Sequence, residues 1–344
     1  MLPELENAGV TAAFVDADQL RLASGVNASE TELIAAALPA LSNSYRQHGA
    51  QVLIVAGLAD NGEHLGALLP GVPRERILAV HLDADADTIR DRIGRRGWLV
   101  DLADQSIDYA ERIDPRLADL RLHTTGQTPD ELAGRIAREA LTHLRQSVFM
   151  DESGFPAPAE VVTGRMVAIT GPGGVGVSTT GYQVFVDLAR SGAAVGYVDA
   201  HQLGFLGTQA RSGHLAWMRA ANAHAVGSCL ERAGSDTVVV SGDAPAIRAL
   251  TDSCPSENVT AFWLHASPEA LAERVAALAR GDGPPVQGNH RHGLAGAALA
   301  DAIAASVSES KQHEARPSVH RTIETTGVDP AQTAQTIRVV LAHA

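Results

Sequence analysis

The sequence predicts an α/β protein made of two tandem doubly wound parallel-sheet domains, the first of which lacks one strand. Three observations predict this. The chain repeats itself at about half its length, each repeat alternates short apolar runs with helical patterns, and only the second repeat opens with a glycine-rich strand-to-helix junction.

The repeat is read from four matches. "FVDADQL" (14–20) matches "YVDAHQL" (197–203), "QVLIVAG" (51–57) matches "DTVVVSG" (236–242), "ILAVHLDADADTIRDRI" (77–93) matches "VTAFWLHASPEALAERV" (259–275), and "HTTGQTPDELAGRI" (123–136) matches "ETTGVDPAQTAQTI" (324–337). The last match is offset further than the others, so the second repeat carries an insertion of about 19 residues before its final strand. Strands are expected at 166–170, 194–198, 237–241, 259–264 and 321–324 in the second repeat. In the first they are expected only at 11–15, 52–56, 77–82 and 120–123. Near-continuous apolar runs of this length, each followed by a helical pattern, belong to a parallel sheet covered on both faces. The domains are therefore expected at 1–145 and 165–344, with 146–164, which holds Pro156 and Pro158, as the linker. A sheet without its central strand would leave backbone groups unpaired, so the neighbours of the gap should close up or another segment should fill it.

Composition narrows the function classes. The net charge of -13 argues against a nucleic-acid backbone or an anionic membrane as partner. Two cysteines, Cys229 and Cys254, are too few for a disulfide framework, which makes a reducing cytoplasm the expected compartment. The start of the chain has neither the basic cluster nor the long apolar centre of a signal peptide. "GNHRHG" spaces His290 and His292 without accompanying acids or cysteines, so no metal site is expected there, and there is no G-x-S-x-G elbow.

The chemistry concentrates in "GPGGVGVST", 171–179. Gly171, Gly173, Gly174, Val175, Gly176, Val177, Ser178 and Thr179 fit G-x-x-x-x-G-K-[ST] everywhere except at Val177, where the pattern has lysine. The glycines let backbone N–H groups turn toward a phosphate, and the helix that follows points its positive end at the same place. Ser178 would place a hydroxyl on Mg²⁺. A lysine at 177 would add a gross attraction of about 4 kcal/mol at ~4 Å and intermediate dielectric. Its loss should cost catalysis more than binding. The chain's one lysine is Lys311, so a substitute cation must be an arginine or Lys311 itself. Arg165 lies at the far end of the preceding strand, about 16 Å away. Arg280, Arg291, Lys311 and Arg316, in the insertion, are the candidates for a lid, or else part of a solvated loop.

Strand, "GPGGVGVSTT", helix, "VDAHQL", "VVVSG", spaced arginines and a closing "TTG" resemble the P-loop small-molecule kinases, the group that includes adenylylsulfate kinase and chloramphenicol phosphotransferase. Bacterial proteins loosely called AAA-family ATPases share the "VD-x-DQL" segment. The resemblance implies two P-loop kinase-like domains, ATP with Mg²⁺ as ligands, lid arginines, and Asp199 as the acid that takes the acceptor's proton or orders the metal's water. It also points to Arg92, Arg95, Arg96, Arg112 and Arg116 as a lid pattern in the first repeat, and to the Thr124–Gly126 and Thr325–Gly327 turns as adenine-packing loops. Asp243, and the Asp16–Asp18 pair, are further acids at strand ends, where Asp also serves as a helix cap or turn residue. Two functions are therefore carried forward. One is a nucleotide-binding sensor, scaffold or subunit with weak or no catalysis, acting through a protein partner. The other is an ATP-dependent phosphotransferase for a small hydroxyl compound.

Overall fold

The computed structural model describes residues 1–96, 100–146, 164–207, 215–282, 290–312, 316–318 and 320–343. The first half runs α1 (Leu2–Asn7), β1 (Ala12–Asp16), β2 (Ala23–Ser24), α2 (Glu30–Gln47), β3 (Val52–Ala56), α3 (Gly62–Leu68), β4 (Val80–Asp83), α4 (Ala86–Arg96), α5 (Ala103–Arg112), β5 (Leu120–His123) and α6 (Pro129–Gln146). The second runs β6 (Arg165–Thr170), α7 (Val177–Arg190), β7 (Val195–Asp199), β8 (Phe205–Leu206), α8 (Ala216–Arg232), β9 (Thr237–Ser241), α9 (Ala244–Asp252), β10 (Val259–His265), α10 (Pro268–Arg280), α11 (Gly296–Ser310), β11 (Arg321–Glu324) and α12 (Pro330–Ala342).

The strands fall within a few residues of their expected places. The largest offset is at β4, which starts at Val80 because the preceding Arg74–Arg76 turn is 3₁₀ and Arg74 donates to the Ile77 carbonyl at 2.8 Å. The expected linker lies almost wholly outside the described residues.

Five strands of the second half form a parallel sheet in the order β11-β10-β6-β9-β7, with helices on both faces. Beyond its first residue β6 is buried throughout, as is all of β7. Burial on both faces explains why these strands read as unbroken apolar runs. The chain leaves β6 for β7 on one side and later returns to β10 on the other, so the sheet's switch point lies beside the carboxyl end of β6. Open parallel sheets bind ligands at such a point.

The first half differs. Its strands pair as β1 with β3 and as β4 with β5, both parallel, and among the described residues no ladder joins β3 to β4. The expected closing or filling of the gap is not seen. The strands beside the gap are not buried: Ala56 is exposed, as are Val55 (37%) and Leu82 (52%), so water can meet their free backbone groups.

The halves are bound by a reciprocal exchange. Strand β8, from the second half, pairs antiparallel with β1, and β2, from the first, pairs antiparallel with β7. Behind these pairs α2 lies against α8. Helix α2 starts with a capping box, Ser29 with Glu32, and buries Leu33, Ile34, Ala37, Leu38, Leu41 and Tyr45, the spacing of one helix face. Helix α8 is buried almost all round, as expected of a helix covered on several sides. One apolar core therefore contains Leu38 and Leu41 as well as Met218, Val226 and Leu230. Tyr45 donates to the Leu203 carbonyl at 2.7 Å, Asn222 donates to the same oxygen at 2.7 Å, and the Cys229 thiol meets the Ala36 carbonyl at 3.4 Å.

Two outcomes follow from this shared core. Leu41→Ala should lower stability by about 2–5 kcal/mol in urea denaturation, the cost of a cavity at a fully buried leucine. Residues 1–146 expressed alone should show no cooperative melting by calorimetry; a sharp transition would mean that the first half does not need α8.

Candidate functional site

The loop between β6 and α7 is shaped by its glycines. Gly174 (φ 90°) and Gly176 (φ 101°) are left-handed, a conformation that costs glycine little. The Val175 N–H donates to the Pro172 carbonyl at 3.1 Å, closing a turn within the loop, and α7 begins immediately after Gly176, so the positive end of the helix meets the loop. Packing fixes the same glycines. A Cβ on Gly171 would lie 2.7 Å from the Leu264 carbonyl oxygen, and one on Gly174 would lie 2.9 Å from a Val275 methyl. Val175 is buried, while Thr179 is exposed and Ser178 half-buried. Val177 is half-buried and packs against the core formed by Val167, Ile169 and Val184.

Arg274 of α10 anchors the loop from behind. Its guanidinium donates to the Val175 carbonyl at 2.9 Å, and to the Thr325 hydroxyl and carbonyl at 3.0 and 2.5 Å. Arg92 does the corresponding thing in the first half, donating to the Thr124 hydroxyl at 2.8 Å and carbonyl at 2.9 Å. These arginines clamp the two "TTG" turns, so Arg92 is a structural residue and not part of a lid. Arg95 pairs with Asp91 at 2.9 Å, and Arg112 donates to the Asp108 carbonyl at 3.2 Å; both bonds lie within their own helices. Sequence reasoning did not single out Arg274. Its match to Arg92 across the repeat was the available signal.

Asp199, at the carboxyl end of β7, faces the loop. It is 4% exposed, lies beside the Ser178 hydroxyl, and accepts hydrogen bonds from the N–H groups of His201 (3.0 Å) and Gln202. Burial pushes its carboxyl up to about 6, and these hydrogen bonds oppose the rise. Tyr197 completes the floor: its hydroxyl meets Ser241 Oγ at 2.7 Å and donates to the Ser178 carbonyl at 3.1 Å. Asp243 caps α9 by accepting from the Ala246 N–H at 3.0 Å and also holds the buried Arg219 at 2.7 Å. Burial, then the Arg219 charge, pulls His201 down to about 4; His290 and Arg291 act in the same direction.

Of the four lid candidates, Arg291 reaches the loop. Its Nη2 would lie 2.2 Å from a Cβ on Gly173. Arg280 is exposed and paired with Asp282, Lys311 is exposed just beyond α11, and Arg316 lies over the Trp263 ring at 4.7 Å. Arg165 lines a cleft with Glu257 and Asn258 at the opposite end of the sheet, as its distance along the strand requires. In the first half Asp16 accepts from the Asp18 N–H at 3.0 Å, and Asp18 pairs with Arg21 at 2.7 Å, so these two carboxylates form a turn and an ion pair.

No family model matches the chain, and no curated protein matches it. Solved structures similar to it include a gluconokinase from Sinorhizobium meliloti 1021 (20% identity, 54% of this chain and 96% of that one, TM-score 0.33). Others are a tunicamycin resistance protein of Deinococcus radiodurans (17%, 52% and 95%, TM-score 0.31) and a sugar kinase from Janibacter sp. HTCC2649 (17%, 52% and 95%, TM-score 0.30). Likeness at this level carries no weight for function. The class of this chain, a mixed α/β fold with parallel sheets and a phosphate-loop-type junction, rests on its own strand order and on loop 171–176. Among the described residues no helix is long and apolar enough to cross a membrane.

The raised pKa of Asp199 has a defined consequence. Between the ordinary value of 3.8 and about 6 the unfolded chain releases this proton while the folded chain keeps it. The group's contribution to stability is full below that window and is lost as pH rises through about 6. Asp199→Asn lacks the loss. Its stability relative to the parent should therefore rise by about 2–3 kcal/mol from pH 4 to pH 7, measured by urea denaturation at each pH.

Proposed function

We propose that the second half binds the phosphate end of ATP, with Mg²⁺, on loop 171–179, and that the protein acts as a nucleotide-dependent sensor, scaffold or subunit with weak or no turnover. One observation carries this reading: loop 171–176, with left-handed Gly174 and Gly176, leads straight into the N-terminus of α7, while the place of its lysine is taken by Val177, whose side chain packs on the core. Binding needs mainly the amides and the helix end. Transfer also needs a cation on the moving phosphoryl group.

The residues present fit the implied metal. Mg²⁺ takes oxygen ligands and keeps several of its waters, and the neighbouring Ser178 hydroxyl and Asp199 carboxylate are such a pair. Among the described residues no three acidic, histidine or cysteine side chains converge to hold a metal by themselves, so phosphate oxygens would have to complete the shell. ATP, when bound, supplies a transferable phosphoryl group.

A second reading, an ATP-dependent phosphotransferase for a small hydroxyl compound, is favoured by Asp199. A buried carboxyl raised to about 6 beside Ser178 is suited to accept a proton near neutral pH. In that reading Arg291 supplies the cation that Val177 does not, and Asp199→Asn abolishes transfer, measured by ADP release.

We further propose that the halves are duplicated P-loop kinase-like domains, 1–145 and 165–344, joined by 146–164. The four sequence matches and the paired clamps, Arg92 on Thr124 and Arg274 on Thr325, support this reading.

The nucleotide reading is tested by titrating Mg²⁺-ATP and ADP by calorimetry and then assaying ADP release. In Val177→Lys the lysine stem can replace the valine on the core and extend its ammonium outward. ATP should then bind about tenfold more tightly at fixed ionic strength, a gain of about 1.4 kcal/mol. Unchanged or weaker binding in folded Val177→Lys would remove loop 171–179 as the phosphate site.

A further inference from the structure

Helix α11 touches the loop at Gly173. The Gly173 N–H donates to Glu309 Oε2 at 2.7 Å, and the Ser306 hydroxyl donates to the Gly173 carbonyl at 2.5 Å. Residues 306 and 309 are three apart on a helix and so share a face. Both polar groups of one glycine are thus held by one helix. The Arg291 guanidinium lies against the same glycine, and the Glu309 charge opposes the lowering of its pKa by burial. A carboxylate on a loop amide, next to an arginine, has the charge and hydrogen-bonding pattern of a phosphate oxygen.

We propose that Glu309 is a built-in competitor for the phosphate loop. It closes α11 onto Gly173, and a nucleotide phosphate gains the Gly173 N–H and Arg291 only by displacing its carboxylate. This rests on the reading of loop 171–179 as a phosphate site. The rest of the Glu309 side chain faces water, so its release buries no charge and breaks no core contact. A Cβ on Gly173 would meet the ends of the Arg291 and Glu309 side chains, so both lie against this glycine. The contact makes the open, nucleotide-ready loop and the closed α11 mutually exclusive. Nucleotide binding is thereby coupled to a movement of α11, a movement that a partner protein could read.

The test is calorimetric titration of Mg²⁺-ATP and of inorganic tripolyphosphate into the full chain and two variants. Glu309→Gln keeps an oxygen to accept from Gly173 but removes the charge. Asp301→Asn removes the same charge from an exposed position on α11, away from the loop. Both anions should bind Glu309→Gln about tenfold more tightly than the parent, while Asp301→Asn should shift them little. Hydrogen exchange supplies a second readout: saturating ATP should speed exchange of the amides of 300–310 in the parent. Binding to the parent with Glu309→Gln equal or weaker, or with α11 more protected, overturns the competitor while the nucleotide site stands. If neither the parent, Glu309→Gln nor Val177→Lys binds either anion at millimolar concentration, the phosphate-loop reading fails and the competitor with it.

Discussion

The contact between α2 and α8 is the interaction on which the rest of the molecule depends. The first half has two short parallel pairs in place of one continuous sheet, and such pairs bury too little apolar surface to be stable by themselves. Its stability comes from Leu33 to Tyr45 of α2 packing on Met218, Val226 and Leu230 of α8. The exchanged strands β2 and β8 then set the register between the halves. Tyr45 ties this core to the turn that carries the site: its hydroxyl and the Asn222 amide both end on the Leu203 carbonyl, four residues beyond Asp199. Burial pushes the Tyr45 phenol far above its ordinary value, so it stays a neutral donor.

The same turn connects fold and chemistry. Asp199 ends β7, a strand buried over its whole length between β9 and the exchanged strand β2. Burial raises its pKa, and the backbone N–H groups on its carboxylate oppose the rise. Across the loop, Arg274 fixes Val175 from one side, and Ser306 and Glu309 hold Gly173 from the other. The loop is thus rigid where it meets the sheet and is gripped by α11 at its outer edge.

Much of the fold was legible in the sequence. The apolar runs at 237–241, 52–56 and 120–123 are strands over those same residues, because alternation and β-branched content act locally. Gly174 and Gly176 were marked by the motif, and the backbone there needs glycine. Asp199 was placed at a strand end, where it lies. The repeat also carried the Arg92–Arg274 correspondence, but the family pattern pointed to a lid, and only the bonds to Thr124 and Thr325 show these arginines to be clamps.

What the sequence determined by itself is therefore the set of elements and the loop that needs glycine, since both depend on residues close together in the chain. The tertiary structure alone decided three things: that the gap beside β3 stays open to water, that Val177 packs on the core, and that Glu309, rather than a lid cation alone, meets Gly173. Each depends on partners far away in sequence. Gly173 and Glu309 are 136 residues apart, and no periodicity or motif carries information across that distance. The packing of α11 against the loop does so, because it puts a carboxylate beside an N–H group that needs an acceptor.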